Sequence, residues 1–400
     1  MYSLYAIAFT VELGLGIVSP LLPEIMREFS LAAWQAGMMV TVFALARLFT
    51  DLPLGLLLER IDRTRVLVIG TLLIAAGSAG CGLAQSYSLL LAARLVMGIG
   101  TATCLLTLLF TVSRAADAGS RGKAIGIYQA SLLAGITFSP AIGGLAAALY
   151  GWRAAFLFCS VTGFLAMMMV LLASRAGSLG LPVATVAPSE LRETRRAEES
   201  ASQVPWNLVA INFTTFVFFA STSGFRNSMV PVYGGTELAI GAGLLGLMLG
   251  GSALIRFGVT LGSGLASDRF GRKIILIPGT VLLATGTMGF VLARDPLGFG
   301  LCLVVLSLGG FGNSIPTTMI VDAVRPDRVG LAISVNRFVG DLGMLVGPVG
   351  LGWVLDVAGF RSVAALTAGM LLATIPGVAL AVREKRPIGP RAALEKTATH

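Results

Sequence analysis

Charge is what this chain of 400 residues has least of: 12% of its residues are charged, against about a quarter in a soluble domain. So few charges cannot cover a water-exposed surface, which excludes a soluble globular domain and makes lipid the solvent. Histidine is nearly missing, and the single one, His400, is the last residue, so imidazole chemistry is not expected. Cys81, Cys104, Cys159 and Cys302 are the only cysteines, each lies inside an apolar run, and none is spaced from another as metal ligands are. They read as small packing residues; neither a disulfide framework, a metal site nor a cofactor is expected.

Apolar side chains make up 56% of the chain. A membrane span needs about 20 apolar residues, and the sequence divides into twelve such segments: 2–22, 33–57, 66–84, 88–113, 122–148, 152–174, 206–232, 238–266, 274–293, 296–321, 329–355 and 360–382. The first segment has no basic leader and no small-residue cleavage site, so it reads as a retained helix. The formal charge of +9 raises the question of nucleic acid, but its placement points elsewhere. Twenty of the 29 basic residues fall on connections and tail of one face, and four, Arg27, Arg153, Arg294 and Arg361, on the other. That is the positive-inside asymmetry, which puts both termini in the cytoplasm of a multi-pass cell-membrane protein. No nucleic-acid partner is expected. The fifty glycines suit close helix packing in lipid, so pairs such as Gly98/Gly100 and Gly262/Gly264 do not signal a nucleotide.

The two halves repeat. Pro140 and Pro348, Gly151 and Gly359, and Arg153 and Arg361 are each 208 residues apart, and Gly55 and Gly264 are 209 apart. The predicted architecture is therefore all-α: twelve transmembrane helices in two pseudo-symmetric six-helix bundles, 1–174 and 206–382. A cytoplasmic linker, 175–205, joins them and a tail, 383–400, follows. Two similar bundles are built to rock about a central site near the bilayer midplane.

Gly264, Asp268, Arg269, Gly271, Arg272 and Lys273 follow the eighth segment with the spacing of the loop signature of the major facilitator superfamily. The chain resembles that family over its whole length. The copy after the second segment, Gly55, Glu59, Arg60, Asp62 and Arg63, departs at Glu59 and Asp62. Aspartate is among the few non-glycines that accept positive φ, so the tight turn is expected to survive at Asp62. In the family this loop latches the bundles through an acid at a neighbouring helix N-terminus; the plainer alternative is a loop that only sets topology.

Gly135, Ser139, Pro140, Gly143 and Gly144 resemble the fifth-span motif of the family's proton-coupled antiporters, with Ser139 in place of a glycine. The resemblance implies a flexible glycine face that seals the bundles against leak, and hence export. Arg94, with Gly98 and Gly100, resembles a fourth-span signature whose arginine is assigned to proton transfer. Arginine keeps its own proton, so its role would be to tune a carboxylate or hold an anion; pairing with backbone carbonyls is the alternative.

Ionisable groups at membrane depth are functional candidates by default. Glu12, near the middle of the first segment, is the expected proton carrier, since an apolar surrounding favours the neutral carboxyl; the alternative ties it to a buried arginine. Asp51 and Asp341 each follow an arginine by four residues, Arg47 and Arg337, which puts each pair on one helix face, although Asp51 with Arg337 is also open. Arg256 is the repeat mate of Arg47, and these residues are expected to form a cytoplasmic gate. The seventh segment offers a polar stripe that includes Asn212 and Arg226, with Phe216 beside it, as the substrate cavity. Arg226 either holds a substrate anion or pairs near the exit. The central cavity is expected between segments 1, 4, 7 and 10. The resemblance implies no enzyme but a monomeric carrier that exchanges a small, mostly apolar organic compound for protons; the alternatives are a facilitator or proton-symport importer of a small metabolite on the same fold and, more remotely, a membrane-embedded enzyme or sensor.

Overall fold

The computed structural model describes residues 2–13, 16–58, 61–116, 120–175, 206–312, 315–324 and 329–381. Among these no strand occurs, and the helices give twelve spans. Span 1 comprises Tyr2–Leu13 and Val18–Phe29, then come span 2 (Ala33–Leu57), span 3 (Arg63–Leu83), span 4 (Tyr87–Ala115), span 5 (Arg121–Tyr150) and span 6 (Trp152–Arg175). Span 7 runs through Trp206–Ala220, the π-helical Ser221–Met229 and Val230–Thr236. Spans 8 and 9 are Ala242–Phe270 and Arg272–Gly289, and span 10 runs from Pro296–Leu308 through a 3₁₀ turn, Gly309–Gly312, to Ile315–Ala323. Val329–Ala381 holds spans 11 and 12, divided where Gly359 turns out of helical conformation. Nine stretches of the described residues are long and apolar enough to cross a bilayer, that last one twice over. Segment 175–205 and tail 383–400 lie almost wholly outside the described residues.

Local chemistry sets the boundaries. Ser86 caps span 4 by accepting from the Leu89 amide, and Asp295 caps span 10 by accepting from Gly298, with Pro296 at the first helical position, where its missing N–H costs nothing. The short turns between spans 5 and 6, 8 and 9, and 11 and 12 rest on Gly151 (φ 83°), Gly271 (φ 104°) and Gly359 (φ 75°). Gly151 and Gly359 are the repeat mates, so both copies make the same left-handed turn. Asp62, the mate of Gly271, does not: its φ is −63°, and its carboxylate instead accepts from the Thr64 amide at 2.9 Å and caps span 3. The expected positive φ is thus replaced by an N-cap, the conformation in which an Asp side chain contributes most.

Even crossings place Tyr2, Arg175, Trp206 and Ala381 at one end, the terminal face, and Phe29, Tyr150, Thr236 and Gly359 at the other, the distal face. At the terminal face the apolar cores stay within one bundle each, around Leu4, Leu108 and Val170 and around Ile211, Leu276 and Ile320. At the distal face one core crosses between bundles, joining Leu21, Leu22 and Phe156 to Val232 and Ala242. Outward-facing side chains such as Val161, Phe164, Leu244 and Leu247 form the apolar belt that lipid covers.

Candidate functional site

Spans 5 and 11 each carry two small-residue faces. Gly135, Ser139 and Gly143, four residues apart, lie on span 1 of their own bundle. A Cβ at Gly135 would stand 2.7 Å from the Phe9 carbonyl, Ser139 Oγ donates to the Leu13 carbonyl at 2.5 Å, and a Cβ at Gly143 would stand 2.7 Å from Ile17. Pro140 and Gly144, on the adjacent face, meet span 8 of the other bundle: the Pro140 carbonyl closes on Gly246 and Gly144 lies against the Gly246 backbone. The same division recurs on span 11, where Gly343 and Gly347 press on Phe216 and Ala220 of span 7 and Gly352 presses on Ala33 of span 2. The motif therefore does not present one sealing face; only its Pro140–Gly144 side touches the other bundle.

Glu12 is buried near the end of Tyr2–Leu13. Its Cβ would sit 2.8 Å from a Cβ at Gly135, and its electrostatic partner is Arg47 of span 2. Arg47, Asp51, Arg337 and Asp341 come together across spans 2 and 11, and each acid feels both arginines. None of the pairings read from sequence is a close ion pair among the described residues; the four form one looser charge group, with Asp51 and Asp341 half-buried and Arg337 exposed. Arg94 is buried elsewhere: Nε donates to the Met39 carbonyl at 3.2 Å and the guanidinium lies 4.7 Å from the Phe43 ring centroid. It fastens span 4 to span 2 and is not brought together with Glu12.

Arg256 stands apart from its repeat mate's charge group. It lies on span 8 facing Arg226, and both line a cavity of about 60 Å³ with Gly16, Ser19, Thr137 and Asn227. The walls are spans 1, 5, 7 and 8, and a smaller gap behind them adds Leu306 and Gly310 of span 10. Span 4 lines neither, because its polar face is consumed by packing against spans 2 and 3. Arg226 belongs to the π-helical stretch, and such departures from α-geometry gather at functional sites. Its Nη2 donates to Ser252 Oγ at 2.9 Å, while its buried Nε has no partner. A buried donor left unsatisfied costs about 1–3 kcal/mol, and more for a charged group.

Asn212 and Phe216 lie away from this cavity. The Asn336 amide donates to Asn212 Oδ1 at 3.2 Å and to Thr215 Oγ1 at 2.6 Å, and Thr317 donates to Asn336 Oδ1, so one buried network ties spans 7, 10 and 11. Phe216 lines a separate apolar pocket of about 280 Å³ between spans 7, 11 and 12. In the second loop copy Arg272 pairs with Asp322 at 3.0 Å and donates to Ser267 Oγ, both within its own bundle. Arg269 lies over Phe270, Gly271 caps the end of the helix that contains Gly264, and Gly55 faces open space. Glu59, Arg60 and the side chain of Asp268 lie outside the described residues.

Two groups escaped the sequence reading. Asn336 was one polar residue in an apolar run. Asp356, near the distal end of span 11, accepts from the Ala33 and Trp34 amides at 2.8 and 2.9 Å and so caps span 2 of the opposite bundle. The Arg27 guanidinium adds a second distal tie, donating to the Gly235 carbonyl at 2.6 Å. A lone acid at a span end, with alanine (Ala148) at the mate position, was the available signal for Asp356.

The profile of the Major Facilitator Superfamily matches residues 4–263 and 211–399. An MFS-type transporter of Bacillus subtilis, YbcL, is 23% identical over 94% of both chains, and Multidrug resistance protein 1 of the same organism is 24% identical over 87% of this chain and 88% of its own. Among solved structures, an inward-facing bacterial homolog of the human lysosomal transporter Spinster aligns with a TM-score of 0.73 at 16% identity, covering 95% of this chain and 94% of that one. A D-xylose-proton symporter aligns at 0.74 and 15%, covering 96% and 99%. With twelve spans, two repeated bundles and a profile match along its length, the chain belongs to the Major Facilitator Superfamily and is a membrane transporter.

Proposed function

We propose that this transporter exports a small, mostly apolar organic compound from the cell in exchange for protons, by alternating access. The observation that carries the reading is the contact of Glu12 with Gly135: the one fully enclosed carboxyl described within the spans abuts the antiporter-type motif, so its protonation acts on the span 1–span 5 packing that the motif shapes. The charge asymmetry of the connections puts both termini in the cytoplasm. With that orientation the distal closure by Asp356 and Arg27 corresponds to a carrier shut to the outside. Multidrug resistance proteins among the relatives support efflux. Glu12 takes up a proton when the cavity faces outward and yields it to the cytoplasm, with Arg47 as its charged neighbour.

Reconstitution into proteoliposomes with an imposed pH gradient tests this directly. A panel of lipophilic cations, neutral antibiotics and organic anions is expected to contain a member that moves against the proton and quickens its flux. Movement of that member with the proton would replace export by symport import on the same fold. Movement indifferent to the gradient would replace it by facilitated diffusion.

A further inference from the structure

Export of a merely apolar compound leaves two cations in the cavity with nothing to do. Arg226 has a buried Nε without a partner, and its electrostatic neighbour is a second cation, Arg256. Arg256 makes no hydrogen bond or ion pair among the described residues, and no carboxylate acts on either guanidinium. The contrast with the repeat is instructive. Arg47, the mate of Arg256, shares its surroundings with Glu12 and Asp51. At this pair of mate positions the first bundle supplies counter-charges and the second does not.

Both guanidiniums border the same cavity, whose volume of about 60 Å³ exceeds the roughly 10–15 Å³ that one water occupies by enough to admit a carboxylate or phosphate group. Leu133, Ile136 and Leu249 supply an apolar wall beside it. A planar guanidinium with a free Nε offers the fork that such oxyanions accept, while a cationic ligand would meet two like charges and a neutral one would leave both uncompensated. We propose that Arg226 and Arg256 are the anion-binding half of the substrate site, and that the transported compound is an amphipathic organic anion, its carboxylate or phosphate held between them and its apolar body against spans 5 and 8. This rests on the reading of the cavity as a transport site, but not on proton coupling or direction.

The test is ligand-dependent thermal unfolding of the purified full chain in neutral detergent, without any gradient. The probes are 1-naphthoate and 1-naphthyl phosphate, their neutral counterpart 1-naphthamide, the cation 1-naphthylmethylammonium, inorganic phosphate, and a short-chain phosphatidylglycerol. Saturable stabilisation by naphthoate or naphthyl phosphate, with little from the amide or the ammonium, is expected. Arg226→Gln and Arg256→Gln should each weaken that binding about tenfold or more, the loss of one charge-assisted contact. In the unliganded protein both should melt no lower than wild type, because each removes an uncompensated buried cation; a merely structural arginine would give the opposite. Equal stabilisation by amide and acid, no stabilisation by either anion, or full anion binding in both variants would overturn the site. Stabilisation by phosphatidylglycerol alone would overturn the substrate claim and make the anion a lipid headgroup. The wild-type comparison of acid with amide decides the question even where a variant does not fold. Anion binding without proton-linked flux would count against the export reading alone, and proton-driven flux of neutral compounds without anion binding against this site alone.

Discussion

Glu12 and Asn336 show how differently a buried polar side chain can be used in these spans. Glu12 is enclosed with no hydrogen bond from the described residues and only Arg47 as electrostatic partner, which suits a group that changes protonation. Glu12→Gln should therefore abolish proton-driven transport while ligand binding persists and loses its dependence on pH. Wild-type coupling in that variant, read by proton flux in liposomes, would exclude the assignment. Asn336 is held instead by Asn212, Thr215 and Thr317. Removing it takes the amide donor from Asn212 and Thr215, which keep their own bonds to the Leu208 and Ile211 carbonyls, at about 1 kcal/mol for each bond lost. Asn336→Ala should thus lower the midpoint of thermal unfolding without altering the ligand preference of the carrier.

Single helices divide their work by face. Span 5 carries Gly135, Ser139 and Gly143 toward span 1 and Pro140 and Gly144 toward span 8, so two neighbouring glycines should fail in different ways. Gly143→Leu drives a side chain into Ile17 and should destabilise the first bundle by about 1–3 kcal/mol, as overpacking does. Gly144→Leu presses on Gly246 instead and should separate the bundles at the distal face while each bundle stays intact. Spin-label distances across spans 5 and 8, set beside melting curves of both variants, would tell these outcomes apart; identical behaviour of the two would refute the two-face account. The sequence made the glycines visible and the repeat made them significant. Which face each occupied depended on the rotation of span 5 against its neighbours, which no spacing within one helix records.

For the whole molecule, the distal closure is the quantity that alternating access must overcome. Asp356 caps the first turn of span 2 from the other bundle, where its mate Ala148 has no polar group to offer. Both pseudo-symmetric interfaces are closed by small-residue packing, and the one between spans 11 and 2 adds a charged cap. A carboxylate cap contributes about 0.5–2 kcal/mol, enough to shift the ratio of open to closed forms about eight-fold at the middle of that range. Asp356→Ala is expected to raise the share of molecules whose distal ends are apart, with melting unchanged within each bundle. Distance distributions between labels on spans 2 and 11 that match wild type would show that the cap adds nothing to closure.

Hydropathy, charge placement and the 208-residue repeat by themselves determined the twelve spans and the division into two halves, and the loop signature after the eighth span carried the resemblance to the family, because each is a property of segments and survives any small change in packing. They also supplied Glu12, Arg226 and Arg256 as isolated charges in apolar runs. Only the tertiary structure decided which charges meet. Arg47 gained Glu12 and Asp51 as neighbours, whereas its mate Arg256 was turned toward Arg226 with no acid in reach. The reason is physical: two bundles built on one plan share backbone geometry, but the side chains that fill their facing surfaces differ. The electrostatics of the cavity are set by those facing pairs, contributed from distant parts of the chain.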